Sequence, residues 1–148
     1  MIRWLSTLAL VVVPLGCSSG SNSLTGSVSQ VYDLSFNSVT IIAEGPNVSI
    51  KYVGSNGAYP AVLIVDTANI SDVAGHAIDL TQLDSGQPRG VLDNVGAVTT
   101  EFPIEIGSVT FDQTPAVGKT LSGSFAATLS NPSGYTLDGT FSATVSAP

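Results

Sequence analysis

The chain has 148 residues, four Lys and Arg against eleven Asp and Glu, a formal charge of −7 and one cysteine. A surface this acidic repels nucleic acid and anionic lipid headgroups. A single cysteine excludes an internal disulfide and a thiolate metal cluster, so stability must come from burial and hydrogen bonding.

Arg3 gives a short positive start, and Trp4 to Leu15 is apolar apart from Ser6 and Thr7. Gly16 and Cys17 follow, and the composition then turns to Ser18-Ser19-Gly20-Ser21-Asn22-Ser23. A positive start, a short apolar run and a small residue form the pattern of a secretory signal. The run is too short to span a bilayer, which takes roughly 20 residues. The ending Leu15-Gly16-Cys17 resembles the lipobox of bacterial lipoproteins. The resemblance implies that residues 1–16 are a signal peptide cut before Cys17. It also implies that Cys17 is acylated on its sulfur and anchors the protein in the bacterial cell envelope. Ser18 is not the aspartate that keeps many such lipoproteins at the inner membrane, which favours the outer membrane. Without Arg3 the mature chain has three bases against eleven acids, a formal charge of −8. It is long enough for one domain that buries about two thirds of its unfolded surface. The acids are scattered and read as a solubility device.

Residues 17–27, rich in Ser, Gly and Asn, read as a flexible lipidated tether, and 28–148 as a single β domain. Val28, Val31, Tyr32, Leu34 and Phe36 begin the apolar texture. Val39, Ile41 and Ala43 alternate with Thr40 and Ile42, and Val48, Ile50 and Tyr52 alternate with Ser49 and Lys51. Gly45-Pro46-Asn47 between these runs predicts a hairpin turn, and Gly54 to Gly57 another turn. The continuous apolar run Pro60–Val65 predicts a central strand covered on both faces. Over Thr67–Leu83, Val73, Ala77 and Leu80 have helical spacing. Gly75 weakens a helix there by about 1 kcal/mol, so a loop followed by a short strand is expected. Asp84 to Pro88 reads as a turn, residues 91–102 as short strands broken at Asn94 and Gly96, and 104–112 as a further strand.

The C-terminal third carries a repeat. Thr120-Leu-Ser-Gly-Ser-Phe-Ala-Ala-Thr-Leu129 recurs as Thr136-Leu-Asp-Gly-Thr-Phe-Ser-Ala-Thr-Val145. Both copies have period two and the link is short, which predicts an antiparallel hairpin with Ser and Thr on its outer face. The apolar faces coincide only where paired residue numbers sum to an even value. The symmetric choice sets Phe125 opposite Phe141, Leu129 opposite Leu137 and Leu121 opposite Val145. The doublet resembles the closing hairpin of β-rich domains in bacterial lipoproteins. About nine short strands closed by this hairpin predict an all-β fold, an antiparallel sandwich or small barrel.

Chemistry-bearing residues are sparse. His76 is the one histidine; with Asp79 and a serine it would make a triad, but no G-x-S-x-G or S-x-x-K accompanies it. It reads as an exposed loop residue. Asp66, Asn69 and Asp72 recur every third residue without the order of a calcium loop. Glu101 and Glu105 flank Pro103 as an acid pair or as solvated edge charges. Tyr59 and Tyr135 stand beside turns, where they would rim a ligand site or serve the fold. No catalytic residue, metal site, cofactor or nucleic-acid partner is expected. The sequence therefore predicts a non-enzymatic envelope module that contacts the membrane through Cys17 and, through its β domain, another envelope protein. The alternative is a carrier of a small apolar ligand, with Gly123, Ala127, Gly139 and Ala143 leaving room inside.

Overall fold

The computed structural model describes residues 21–148 apart from Ala97. The expected signal peptide, Cys17 and residues 18–20 lie outside the described residues. Among the described residues there are twelve strands and one 3-10 turn: β1 Ser23–Thr25, the turn Ser27–Gln30, β2 Ser38–Glu44, β3 Asn47–Val53, β4 Ala61–Asp66 and β5 Ala77–Asp79. Then come β6 Leu83–Asp84, β7 Gln87–Pro88, β8 Gly90–Val95, β9 Val98–Phe102, β10 Ile104–Phe111, β11 Thr120–Ser130 and β12 Ser133–Ser146. The fold is all-β, as predicted.

The strands run in the order β5-β10-β11-β12-β2-β3-β4-β8-β9, with β1 on the edge of β12 and β6–β7 a separate two-stranded hairpin. β5, β10, β11, β12 and β1 form a C-terminal layer, and β2, β3, β4, β8 and β9 an N-terminal layer. The first and last strands of the order, β5 and β9, do not pair, so the sheet is not a closed barrel. Period-two patterning makes the two layers face each other. Ile41, Val48, Ile50, Tyr52, Leu63 and Val65 point inward from one layer, and Val109, Phe111, Leu121, Phe125, Leu129, Leu137, Phe141 and Val145 from the other, all in one core. Alternation is what a sheet covered on one face requires.

Several turns follow their sequence signals. Gly45 has φ 58° and starts the two-residue β2–β3 link before Pro46, which suits a first central position with positive φ. Ser85 and Gly86, both with positive φ, join β6 to β7 in the same economical way. β4 is central, between β3 and β8, with Ala61, Val62, Leu63 and Val65 buried. Thr67–Leu83 contains no helix: Gly75 has φ 73°, and the segment is a loop followed by β5, with Val73, Ile78 and Leu80 buried.

Three expectations are corrected. The hairpin of β11 and β12 forms and β10 pairs with it, but its register is two residues from the symmetric one. Phe125 opposes Gly139, Gly123 opposes Phe141, Leu121 opposes Ala143 and Ala127 opposes Leu137. Parity holds, and the choice among even registers falls to packing, because each ring now covers a glycine directly across the ladder. Second, the sandwich is not wholly antiparallel. The last residues of β12 run parallel to β2, with Val145 opposite Ile41 and Ser146 opposite Ile42. β12 thus passes from one layer into the other. Third, the expected tether over 17–27 is ordered in its later part. β1 lies antiparallel to β12, with Ser23 opposite Thr140 and Thr25 opposite Asp138, and Leu24 and Val28 enter the core. One leucine between two hydroxyl residues is enough to pin a three-residue edge strand when the partner strand offers free backbone groups.

The layers are locked where Tyr52 of β3 meets the hairpin. Its hydroxyl donates to the Thr140 carbonyl at 2.8 Å, and its ring lies edge-on to Phe125 and Phe36, with centroids 6.3 and 5.0 Å away. A methyl group on Gly139 would fall 2.5 Å from that hydroxyl and closer still to the Phe125 ring. On the opposite side the layers are joined by the backbone of Leu80. Its N–H donates to the Gly107 carbonyl at 3.0 Å, and its carbonyl accepts from Gly90 N–H at 2.8 Å.

Two outcomes are expected. Gly139→Ala overpacks the junction and lowers stability by about 1–3 kcal/mol, read as a lower urea midpoint with an unchanged m-value; an unchanged midpoint would mean the ring contact yields freely. Burial pushes the Tyr52 phenol above its ordinary pKa. The unfolded chain therefore loses that proton first, and stability present below pH ~10 falls as pH rises beyond it. Tyr52→Phe loses about 1 kcal/mol at neutral pH but shows a shallower alkaline decline in thermal melts between pH 10 and 12.

Candidate functional site: the outer face of the C-terminal layer

From Ile106 onward on β10, and along β11 and β12, residues of even number point away from the core and line up across the strands. One row runs Asp79, Ser108, Ala126, Asp138, Thr25. The next runs Ala77, Thr110, Ser124, Thr140, Ser23. Others hold Ser122 with Ser142, Thr120 with Thr144, and Thr128 with Thr136. With strands about 4.8 Å apart, this is a broad face of short side chains, rich in hydroxyls.

The hydroxyls are tied to one another. Ser122 and Ser142 meet at 2.9 Å and Ser23 and Thr140 at 2.8 Å. Thr136 N–H donates to Ser27 Oγ at 2.9 Å, while Ser27 N–H donates to Thr136 Oγ1 at 3.1 Å. Such pairs contribute little energy each but hold these six side chains in place, so part of the face is preformed.

A groove of about 430 Å³ lies on this face, lined by Ala77, Asp79, Thr81, Glu105, Ser108, Ala126, Thr128 and Asp138 among others. Ser108 and Ala126 make a shallow floor between Asp79 and Asp138. Ile106, 70% exposed, stands at one end beside an irregularity in the β10–β11 ladder that displaces Glu105. Thr81 donates to Asp79 through its hydroxyl and its N–H, at 2.7 and 2.8 Å. Those bonds hold the Asp79 carboxyl below its ordinary pKa. The groove is thus walled by acceptors. Ser and Thr on the hairpin were legible from the repeat, and the strand over 104–112 was expected beside it. Asp79 enters from β5, whose neighbour no local pattern announces, and Glu105 through the irregularity in the β10–β11 ladder.

The other candidates do not assemble into sites. His76 is exposed, with Nδ1 3.0 Å from the Ala74 carbonyl and 3.5 Å from Asp72. Its neighbouring acid is therefore Asp72, while Asp79 is engaged by Thr81. Glu101 lines a groove with Gln87, Phe102 and Pro103, and Glu105 lines the groove on the C-terminal layer, so the two do not share a site. Tyr59 lies under Lys51, the ammonium 5.7 Å from its ring centroid on the N-terminal layer, and Tyr135 packs against the core.

Asp66, Asn69 and Asp72 do not converge either. Asp66 accepts from Ala68 N–H at 2.8 Å, and Asn69 reaches Asp84. No three of His, Cys, Asp and Glu gather to hold a metal among the described residues. The positive charge in this loop belongs to Arg89, which is 7% exposed. Its Nη1 donates to the carbonyls of Asp66 at 3.2 Å and Ala68 at 2.7 Å, and its Nη2 lies 3.7 Å from Asp84. The guanidinium does by hydrogen bonding what a bound cation would do: it ties the 66–84 loop to the start of β8. The two glycines expected to leave ligand space are filled, Gly123 by the Phe141 ring and Gly139 by Phe125 and Tyr52.

Against protein-family models, curated proteins and solved structures, the chain finds no match. No helix among the described residues is long and apolar enough to cross a membrane.

Arg89→Met should remove the tie while keeping most of the apolar stem. A loss of about 2–4 kcal/mol is expected, together with faster amide exchange in residues 66–84 than in β11 and β12. A uniform loss across both regions would instead mean that the loop is not an independently held unit.

Proposed function

We propose that this chain is a lipid-anchored protein of the bacterial envelope, held through acyl chains on Cys17, whose β domain is a non-enzymatic interaction module. The observation that carries the reading is the partly preformed hydroxyl face of the C-terminal layer with its acid-walled groove. Rows of Ser, Thr and Ala cost little entropy to dock against, because the side chains are short and some are already paired. The partner fitted by such a face is another envelope protein, presenting hydrogen-bond donors to the groove.

The apolar-cargo reading draws less support. It needs interior space, and two of the four residues that would leave it, Gly123 and Gly139, lie under aromatic rings. A hydrolytic reading lacks a nucleophile, base and acid held together, since the only histidine is turned to Asp72 on the surface. Outer-membrane placement rests on Ser18 after the cysteine, by resemblance alone.

The test places a photo-crosslinking residue at Ala126 or, as a control on the other layer, at Thr40, in the full chain and in its native membrane. The expected outcome is one discrete heavier adduct from Ala126 and none from Thr40, in a membrane fraction resistant to high-salt washing. Release of a Cys17→Ser variant from that fraction is expected in parallel. No adduct at Ala126 under conditions that retain the protein on the membrane would sink the interaction reading, and a Cys17→Ser variant that stays bound would sink the anchor.

A further inference from the structure

We infer that the domain stands on the bilayer by the end that carries residues 112–119, with the Asn131–Gly134 turn pointing away from it. This rests on the reading of Cys17 as the lipid anchor, and adds which surface meets the lipid.

The argument is one of chain direction and reach. β1 is antiparallel to β12, so the chain enters β1 from the C-terminal end of β12. It is already fixed before β1 begins. Thr140 Oγ1 donates to the Ser21 carbonyl at 2.6 Å, and Ser142 N–H donates to Asn22 Oδ1 at 2.6 Å. From Ser21 back to Cys17 the chain spans at most about 14 Å, at roughly 3.3–3.6 Å per residue. Along β12, the stretch from Ser142 to the turn at Ser133 runs about 30 Å. Lipid on Cys17 therefore cannot reach a bilayer that lies beyond the turn end.

The near end is within reach. Gly118 N–H donates to the Val145 carbonyl at 2.8 Å, and Val145 N–H donates to the Lys119 carbonyl at 2.9 Å. The β10–β11 loop thus sits beside the last residues of β12. β2 runs parallel to β12 there, so the Gly45-Pro46 turn is at the same end. The loop tip reads Pro115-Ala116-Val117-Gly118-Lys119, with Val117 58% exposed. A small apolar tip followed by one exposed base is suited to the headgroup boundary, where an apolar group is buried and a cation meets lipid phosphate. Lying down on the C-terminal layer would set the three acids Asp79, Glu105 and Asp138 against anionic headgroups, whereas the upright stance sets Asp112 and Glu44 there along with Lys119. Chain reach, not charge, carries the inference. The upright stance leaves the hydroxyl face open to the side, where a partner docks.

Acylation occupies the sulfur of Cys17, the chain's one cysteine, so an introduced cysteine is the single free thiol for a fluorophore. Val117→Cys, Ala126→Cys and Ser133→Cys, all exposed positions, are made in the full lipidated chain. Each is reconstituted into phosphatidylethanolamine–phosphatidylglycerol vesicles that contain headgroup-nitroxide lipid. Quenching at 117 is expected to exceed that at 133 several-fold, with 126 between them. Quenching at 133 equal to or above that at 117 overturns the inference, as does a maximum at 126, which would mean that the domain lies on its hydroxyl face. The intact mass of the same samples separates the two levels. Acylated protein with the wrong order of quenching refutes the orientation alone, and protein without acyl chains refutes the anchor and the orientation together.

Discussion

The fold depends on one junction, where aromatic rings from both layers close over backbone that has no side chains. Phe125 lies over Gly139 and Phe141 over Gly123. Tyr52 reaches across from the other layer to the Thr140 carbonyl, and Phe111 stacks edge-on against Phe141 at 5.8 Å. Interiors pack at crystal-like density, so a ring and a glycine exchanged across a ladder fill the same volume as two medium side chains while fixing the register. The distance between the layers, and therefore the shape of the outer faces, follows from this contact.

Two further ties keep the layers in place. On one side β12 leaves the C-terminal layer to run beside β2, and on the other the Leu80 backbone bridges Gly107 to Gly90. Leu80 also explains why Gly90 is a glycine, since a side chain there would fall within 2.5 Å of its Cδ2, while one on Gly107 would meet Ile104 Cγ2 at 2.8 Å and Leu80 Cδ1 at 3.2 Å. The buried Arg89 sits near this bridge and organises the loop before β8. With its Nε lacking a partner, the guanidinium is held by two carbonyls and one acid, as befits an element of support on the inner side of a loop.

These constraints make the hydroxyl face a consequence of the core. Once Phe125, Leu129, Leu137 and Phe141 turn inward, alternation forces Ser124, Thr128, Asp138 and Thr140 outward in rows, and β1 completes the rows by adding Ser23 and Thr25. The first described residues are thereby stitched to the strand that also closes the sandwich. Whatever the chain is attached to at its start is mechanically continuous with the face that we propose makes contacts.

Strand positions, the inward and outward sets, the β2–β3 and β11–β12 hairpins and the Ser/Thr character of the outer face were legible in the sequence. Each is a local matter: period two and turn residues act over a few positions. The hairpin's exact partners were not, because parity leaves several registers open and only the fit of rings over glycines selects one. Nor was the parallel pairing of residues 145–146 with 41–42, which joins distant parts of the chain with no turn to announce it. Residues 23–27 looked like linker because their composition is polar. Ser23–Thr25 became an edge strand because β12 had backbone groups to satisfy and Leu24 could be buried against the core. The groove was hidden for the same reason. Asp79 comes to the hairpin's face because β5 pairs with β10, and Glu105 because the β10–β11 ladder is irregular beside it; both are settled by long-range packing, to which no stretch of sequence by itself has access.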